Sequence, residues 1–322
     1  LEHRLFGTLN KLIRPDLAKL PKIIEGLLPD PWMGEMPAEQ YHADKERMSS
    51  SAVRKLLHSP RQFLASWTDM EVEDEEKEPD YFRFGRAAHA MLLEPEVFRR
   101  LHVVEPVFTG MTKDGRESTQ SKEAKDKKKK WYEDVDPAAM IVTEKEMQSL
   151  LGMVESILEH KIACNLLQNG QPEMTIHWVD KETGISCKAR PDYLAKDKSG
   201  GIHVIDFKTT RDIREGIFSD AIKRHKYFVQ LAFYYDAVAA AIGREPESIT
   251  IIAVEKTLPY ECAVYPLEDS WLARGRIEYR HALNLYKKCM TENKWPAFQS
   301  TATMLNAPAY LQNETLPEFD FT

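Results

Sequence analysis

The stretch "ARPDYLAKDKSGGIHVIDFKTT", residues 189–210, carries the reading of the fold. Two apolar runs flank "KDKSGG", whose Asp, Ser and Gly supply turn chemistry. The spacing predicts two short strands joined by a turn. Asp192 ends the first strand, while Asp206 and Lys208 sit near the end of the second. Residues two apart in a strand share a face, so Asp206 and Lys208 point the same way, about 7 Å apart by the strand rise. In the preceding run Ser186, Lys188, Arg190 and Asp192 share one face, and Ile185, Cys187 and Ala189 the other. If the two strands pair, the aspartates converge at one end of a sheet.

Paired carboxylates in a partly dry site repel strongly, and something positive must hold them together. A hard divalent cation with oxygen ligands does so, and Mg²⁺ is commonly held by one or two carboxylates plus substrate phosphate. A lysine alongside is suited to orienting an attacking water. "DFK" alone reads better as the solvent face of an edge strand. "RPD" one hairpin earlier shifts the balance toward a site.

Outward from this hairpin the pattern organises the chain. "EMTIHWVD" precedes it as a further strand, with Glu173 at its start. A long helix is expected from about Ser219 to Ile242, followed by strands in "SITIIAVEK" and "YECAVYPL" and an amphipathic helix in "WLARGRIEYRHALNLYKKCM". On the N-terminal side, Ser49, Ser50 or Ser51 can cap a helix with Val53, Leu56 and Leu57 on its stripe, and Pro60 starts another with Phe63, Leu64 and Trp67. "YFRFGRAAHAMLLEP" reads as a compact helix ending near Pro95, with Gly85 and His89 on one face. Residues 143–170 return to helical periodicity, with Met147, Leu150, Leu151, Val154, Ile157 and Leu158 as the stripe and Gly170 as the stop. The sum is an α/β fold: a central mixed sheet flanked by helices. Three segments are expected, an N-terminal extension or linker 1–36 rich in Pro, a main domain 37–295, and a tail 296–322 packing on the core or a partner subunit.

Composition narrows the function classes. The chain has 322 residues, 43% hydrophobic and 30% charged, the profile of an ordinary globular protein. No run of 18 apolar residues suggests a membrane span, and no secretory pattern opens the chain. Cys164, Cys187, Cys262 and Cys289 are too scattered for a C-x-x-C pair or an iron–sulfur cluster, and read as free thiols in a reducing cytoplasm. The net charge of −7 hides an uneven distribution. Residues 69–80, "DMEVEDEEKEPD", carry eight acids and one Lys and are expected as a solvated loop, whereas 122–130, "KEAKDKKKK", carry six Lys and two acids and are expected as a mobile loop or loosely held basic helix. The chain has no G-x-x-x-x-G-K-[ST] loop, so ATP is not expected as a cofactor.

Pro191–Asp192 on one strand and Asp206–Phe207–Lys208 on the next resemble the PD-(D/E)xK nuclease superfamily, with Asp in place of the commoner Glu. Gln230 and Tyr234, four apart on the following helix, resemble the QxxxY mark of its RecB-like branch, and Gly85 with His89 resemble that branch's upstream G-x-x-x-H motif. By itself the helix reads better as carrying a core histidine; with the motifs in order His89 reads as a metal ligand. Surface polarity stays open for Gln230 and Tyr234. "AEQYHADKERMSSSAVRKLLHSPRQF", "PDYL", "DFKTT" and "QLAFYYDA" are similar in order and spacing to RecE-type (exodeoxyribonuclease VIII) nuclease domains and their prophage relatives, over residues 37–295.

The resemblance implies a restriction-endonuclease-like core and a Mg²⁺-dependent DNA exonuclease, with Mn²⁺ able to substitute. Asp192, Asp206 and the Phe207 carbonyl would ligate one metal, and His89 would hold a second or complete the shell. Glu173 would complete the site, although an edge Glu without a metal role fits its position as well. Lys208 would position the attacking water. Lys188, Arg190, Gln230 and Tyr234 would orient phosphates or the end base. Lys127, Lys128, Lys129 and Lys130 would supply sequence-independent attraction. Double-stranded DNA ends, 5′→3′ digestion, a single-strand annealing recombination partner and a ring-like homo-oligomer are also implied. A structure-specific or single-strand endonuclease of the same superfamily is the first alternative, and a non-catalytic DNA-binding module the second. The complete Asp192–Asp206–Lys208 set speaks against the latter.

Overall fold

The computed structural model describes residues 21–24, 29–67, 80–298, 304 and 306. In chain order the elements begin with β1 (Trp32–Gly34), α1 (Ala38–Ala43), α2 (Ser50–His58), α3 (Pro60–Trp67), α4 (Asp80–Leu93) and α5 (Pro95–Leu101). There follow β2 (His102–Glu105), β3 (Gly110–Met111), β4 (Glu117–Ser118), α6 (Lys122–Asp134), β5 (Met140–Thr143), α7 (Glu144–Glu159) and α8 (Lys161–Leu166). Next are β6 (Gly170–Pro172), β7 (Thr175–Val179), β8 (Ser186–Ala189), β9 (Tyr193–Lys196), β10 (Ile202–Thr210) and α9 (Glu215–Arg224). The series closes with α10 (Tyr227–Ile242), β11 (Ser248–Glu255), β12 (Cys262–Pro266) and α11 (Asp269–Glu292).

The central sheet has the order β12-β11-β10-β9-β6. Only β10 and β11 run parallel and the other pairs are antiparallel, so the sheet is mixed. Both parallel strands are covered on each face, as their near-continuous apolar sequences require. Val204, Ile249, Ile251 and Ala253 face a core shared with α2, α3, α10 and α11. Ile205, Phe207, Ile252 and Val254 face the opposite core, with α4, α5, α7 and α8. The result is a helix–sheet–helix stack, with α9 and α10 forming the crossover from β10 to β11. Gly275 lets α11 lie close on α10, because a Cβ there would come within 2.3 Å of the Phe228 carbonyl oxygen.

Several local expectations are revised. "ISCKARPDYLA" is not one strand. It breaks at Arg190–Pro191–Asp192, and β8 joins a separate sheet, β1-β7-β8, while β9 joins the central one. Pro191 has no N–H for a ladder and a fixed φ, which ends the first strand there. The long helix expected from Ser219 is two helices, because Lys226 adopts a left-handed conformation (φ 52°, ψ 40°) between α9 and α10. On α7 the buried stripe is Leu150, Met153 and Ile157, whereas Leu151 and Leu158 are exposed. Gly170 opens β6 and does not end a helix.

Part of the N-terminal extension joins the fold: β1 pairs with β7, and the Tyr286 hydroxyl donates to the Pro21 carbonyl. Residues 1–20 and 25–28 lie outside the described residues, as do most of the acidic run at 68–79 and the tail beyond 298 apart from 304 and 306. The Lys-rich segment is a helix, α6, capped by the Ser121 hydroxyl accepting from the Ala124 amide. Among the described residues no helix is long and apolar enough to cross a membrane.

Candidate active site and metal centre

The break at Pro191 creates the site. Tyr193 is paired with Ile205 across β9 and β10, so the residue just before it, Asp192, reaches the edge of β10 where pairing stops. Its Oδ2 accepts a 2.7 Å hydrogen bond from the Phe207 amide, and its carbonyl accepts from the Glu173 amide at 3.0 Å. Glu173, between β6 and β7, takes a left-handed backbone (φ 52°), an uncommon conformation for a non-glycine residue. From α4, on the other side, His89 packs its ring against Phe207 at 4.8 Å between centroids, and its Nδ1 lies 3.5 Å from Asp192 Oδ2.

His89, Glu173 and Asp192 thus each offer a ligand atom, all within 4.8 Å of one another. Asp206 and Lys208 project from β10 beside them. Asp206 is fully buried, and Lys208 Nζ lies 2.5 Å from its Oδ2. Beyond this ammonium, neither carboxylate oxygen of Asp206 has a hydrogen-bond donor among the described residues. Lys208 Nζ also lies 3.5 Å from the Phe207 carbonyl oxygen. Arg190 donates to Glu173 at 2.7 Å and to the Met36 carbonyl at 2.8 Å. A cavity of about 490 Å³, lined by Glu35, Met36, Pro37, Glu94, Glu173 and Arg190 among others, opens at this point.

The electrostatics are those of a site built for a cation. Burial first, then the charge of Asp192, raise Glu173 to about 8. Burial likewise raises Asp192, against the pull of Lys208. Asp206 is raised to about 6 by burial, which outweighs Lys208. Burial and then Lys208 lower His89 to about 4, leaving a neutral imidazole. Burial opposes the charge of Lys208, but Asp206 and Asp192 hold its ammonium above the usual range. Asp192 and Asp206 share the charge of one lysine, Glu173 crowds Asp192, and a neutral imidazole stands beside them, a set that fits a hard divalent ion.

The other sequence-derived candidates divide. Gln230 Nε2 donates to the Tyr234 hydroxyl at 2.9 Å. Tyr234 is buried, and burial, with Asp192 and Asp206 among the nearby acids, holds its phenol well above the usual value. Gln230 and Tyr234 therefore stand behind the carboxylates, and surface polarity does not describe Tyr234. Lys188 is not presented to a phosphate: it is buried, with its ammonium on the carbonyls of Tyr41 and Asp44. Arg190 is committed to Glu173 and positions that acid. On α6, Lys127 pairs with Glu123, Lys128 with Glu105 and Lys129 with Glu133, while Lys130 has no acid partner among the described residues. No contact joins α6 to the carboxylates among the described residues. Tyr227, the first residue of α10, lies under Lys208, with Nζ 5.1 Å from the ring centroid. Its spacing from Tyr234, seven residues on the same helix face, was the available signal.

A mixed sheet between helix layers, with Pro-Asp ending one strand and Asp-x-Lys on its neighbour, defines a metal-dependent nuclease. The chain belongs to the family described as "PDDEXK-like domain of unknown function (DUF3799)", which matches residues 49–307. Comparison with curated proteins gives no match. Among solved structures, a protein from Eubacterium rectale provisionally described as an exonuclease aligns over 87% of this chain and 98% of its own, at 12% identity and a TM-score of 0.55. At that identity the likeness is one of fold. An alkaline exonuclease from Laribacter hongkongensis aligns over 44% of this chain and 70% of its own, at 16% identity and a TM-score of 0.25, too low to carry an argument.

Proposed function

We propose that this nuclease is a Mg²⁺-dependent exodeoxyribonuclease that degrades linear double-stranded DNA from its ends. The observation that carries the reading is the convergence of His89, Glu173 and Asp192 within 4.8 Å, beside the buried Asp206–Lys208 pair. The same overall fold in a protein provisionally described as an exonuclease favours action at DNA ends. The sequence resemblance adds 5′→3′ polarity, Mn²⁺ as a substitute, a ring-like homo-oligomer, and delivery of the exposed strand to a single-strand annealing recombination protein in the cytoplasm.

His89, Glu173 and Asp192, with Asp206 and the Phe207 carbonyl, are the residues that would hold the metal. When bound, the ion supplies positive charge to the phosphoryl oxygens and eases loss of a proton from water. Lys208 acts next to it. Its ammonium, fixed by Asp206 and poised over Tyr227, donates to an incoming water and keeps a lone pair of that water directed at phosphorus. The Gln230–Tyr234 pair sets the wall behind Asp192 and Asp206 and keeps bulk water out. Attack in line at phosphorus breaks the bond to the leaving oxygen, which takes up a proton. The test is incubation with end-labelled linear duplex and with a covalently closed circle, each with and without Mg²⁺. Linear DNA should shorten from its ends only with the metal, and the circle should survive. Cutting of the circle would replace the exonuclease reading with an endonuclease.

A further inference from the structure

Lys208 is the inner end of a track of contacts that leads to cations with no role in the chemistry above. Its Nζ sits 5.1 Å from the Tyr227 ring centroid, and the Tyr227 ring stacks on His225 at 5.3 Å and 23°. On the far side, Arg54 of α2 donates from Nη1 to the His225 carbonyl at 3.3 Å. Arg224 precedes His225 at the end of α9. Neighbouring lysines here are neutralised, Lys223 by Asp220 at 3.0 Å and Lys226 by Glu278 at 2.9 Å. Arg54 and Arg224 have no acidic partner among the described residues. Burial, and then the charges of Arg224 and Arg54, oppose the protonation of His225. Arg224 and His225 are exposed and Arg54 is half-buried.

Arg54 and Arg224, left without acids, both bring uncompensated positive charge to His225, where an anion would be favoured. Guanidinium forks match phosphate oxygens in geometry as well as in charge. The ligand that must reach Lys208 is itself a chain of phosphates. The His225 ring lies within about 10 Å of the Lys208 ammonium by way of Tyr227, and phosphates of one strand rise ~3.4 Å per nucleotide.

We propose that Arg54, Arg224 and His225 form a phosphate subsite that grips the strand being cut, no more than about three nucleotides from the scissile bond. The subsite rests on the nuclease reading and assigns these residues to binding, not to the chemical step. Its ligand is a phosphate, either an internal phosphodiester or the strand's terminal phosphate.

The test uses the full chain and fluorescein-labelled duplex. Affinity is read by anisotropy in EDTA across a salt series, and cleavage is read separately with Mg²⁺. Arg224→Ala and Arg54→Gln should each flatten the slope of log K against log salt by about one. Each should raise KM about tenfold with kcat within about twofold, the signature of lost uniform binding. Duplexes with a 5′-hydroxyl or 5′-phosphate, and with a methylphosphonate at each of the first few linkages, separate the two sources. The modification at the gripped position should weaken the wild type and add nothing to the Arg224→Ala defect. Arg54 also braces the turn, so Arg224, which makes no such contact, decides. If Arg224→Ala keeps wild-type affinity and salt slope while the wild type cuts DNA, the subsite is overturned, whatever Arg54→Gln does. If the wild type neither binds nor cuts DNA, the nuclease reading falls and the subsite with it.

Discussion

Asp206→Asn should make the metal-free protein more stable while removing its activity. Asp206 is fully buried, and its carboxyl is raised from 3.8 to about 6, burial outweighing the attraction of Lys208. A raised folded-state value means that this group's favourable contribution is fully present below about 3.8 and is lost as pH rises through about 6. At pH 8 the wild type therefore holds an ionised Asp206 at a cost of about 3 kcal/mol relative to the unfolded chain. Asparagine keeps the shape and removes the charge. Urea denaturation in EDTA at pH 8 should show the variant more stable by up to that amount, with the gap closing as pH falls toward 4.

Metal narrows the gap. At a magnesium concentration about 100 times its Kd, the wild type gains about 2.7 kcal/mol by mass action. The variant, short of a carboxylate, gains much less. The two stability curves therefore converge as magnesium is added. A metal-free variant that is less stable than the wild type at pH 8 would refute the claim that the carboxylate is held at a cost. Equal stabilisation of both proteins by magnesium would refute its place beside the ion.

Lys208→Ala should lower cleavage by at least about 100-fold while anisotropy shows DNA binding within a few-fold of wild type; activity within a few-fold of wild type would remove Lys208 from the chemistry. Gly85→Ala should stabilise α4 by roughly 0.5–1 kcal/mol, because the nearest atom to an added Cβ, Thr209 Oγ1, is 3.8 Å away. A lower melting temperature in that variant would mean the position is tighter than its geometry. His177 is lowered to about 4 by burial and by Arg47, and its buried Nε2 lacks a hydrogen-bond partner. A depressed folded-state value means stability present above about 6.5 and lost as pH falls through about 4. His177→Phe should therefore flatten the acid side of the stability profile between those limits relative to wild type, and an unchanged difference curve would exclude His177 as an acid sensor.

The parts of the fold legible in the sequence are those where one local rule acts alone. β10 matches its predicted run because "IHVIDFKTT" is rich in β-branched and aromatic residues and follows a Gly-containing turn. The start of α2 follows from its serine cap, and α4 ends before Pro95 as expected. Where two rules compete, the sequence misleads. "ISCKARPDYLA" has an unbroken strand pattern, yet Pro191 divides it between two sheets. The α9–α10 break rests on a left-handed lysine, a conformation that composition does not advertise. Leu151 and Leu158 fit a helical stripe and are nonetheless exposed, because periodicity marks a face without saying what covers it.

The same distinction governs the site. Asp192, Asp206 and Lys208 are visible because strand geometry places them by counting. Glu173 and His89 come from elements that reach the site only through the tertiary fold, so their place depends on Asp192 lying at the junction of the two sheets. Lys188 shows the converse. Counting puts it on the same face as Arg190 and Asp192, but the break after Ala189 turns β8 toward α1, and its ammonium ends on the Tyr41 and Asp44 carbonyls. The interruption at Pro191 therefore does two jobs with one residue. It frees Asp192 from a ladder to face His89 and Glu173, and it removes Lys188 from the reacting centre. Lys208 is thereby left as the lysine paired with the buried carboxylate there, which is why its loss should be felt in cleavage far more than in DNA affinity.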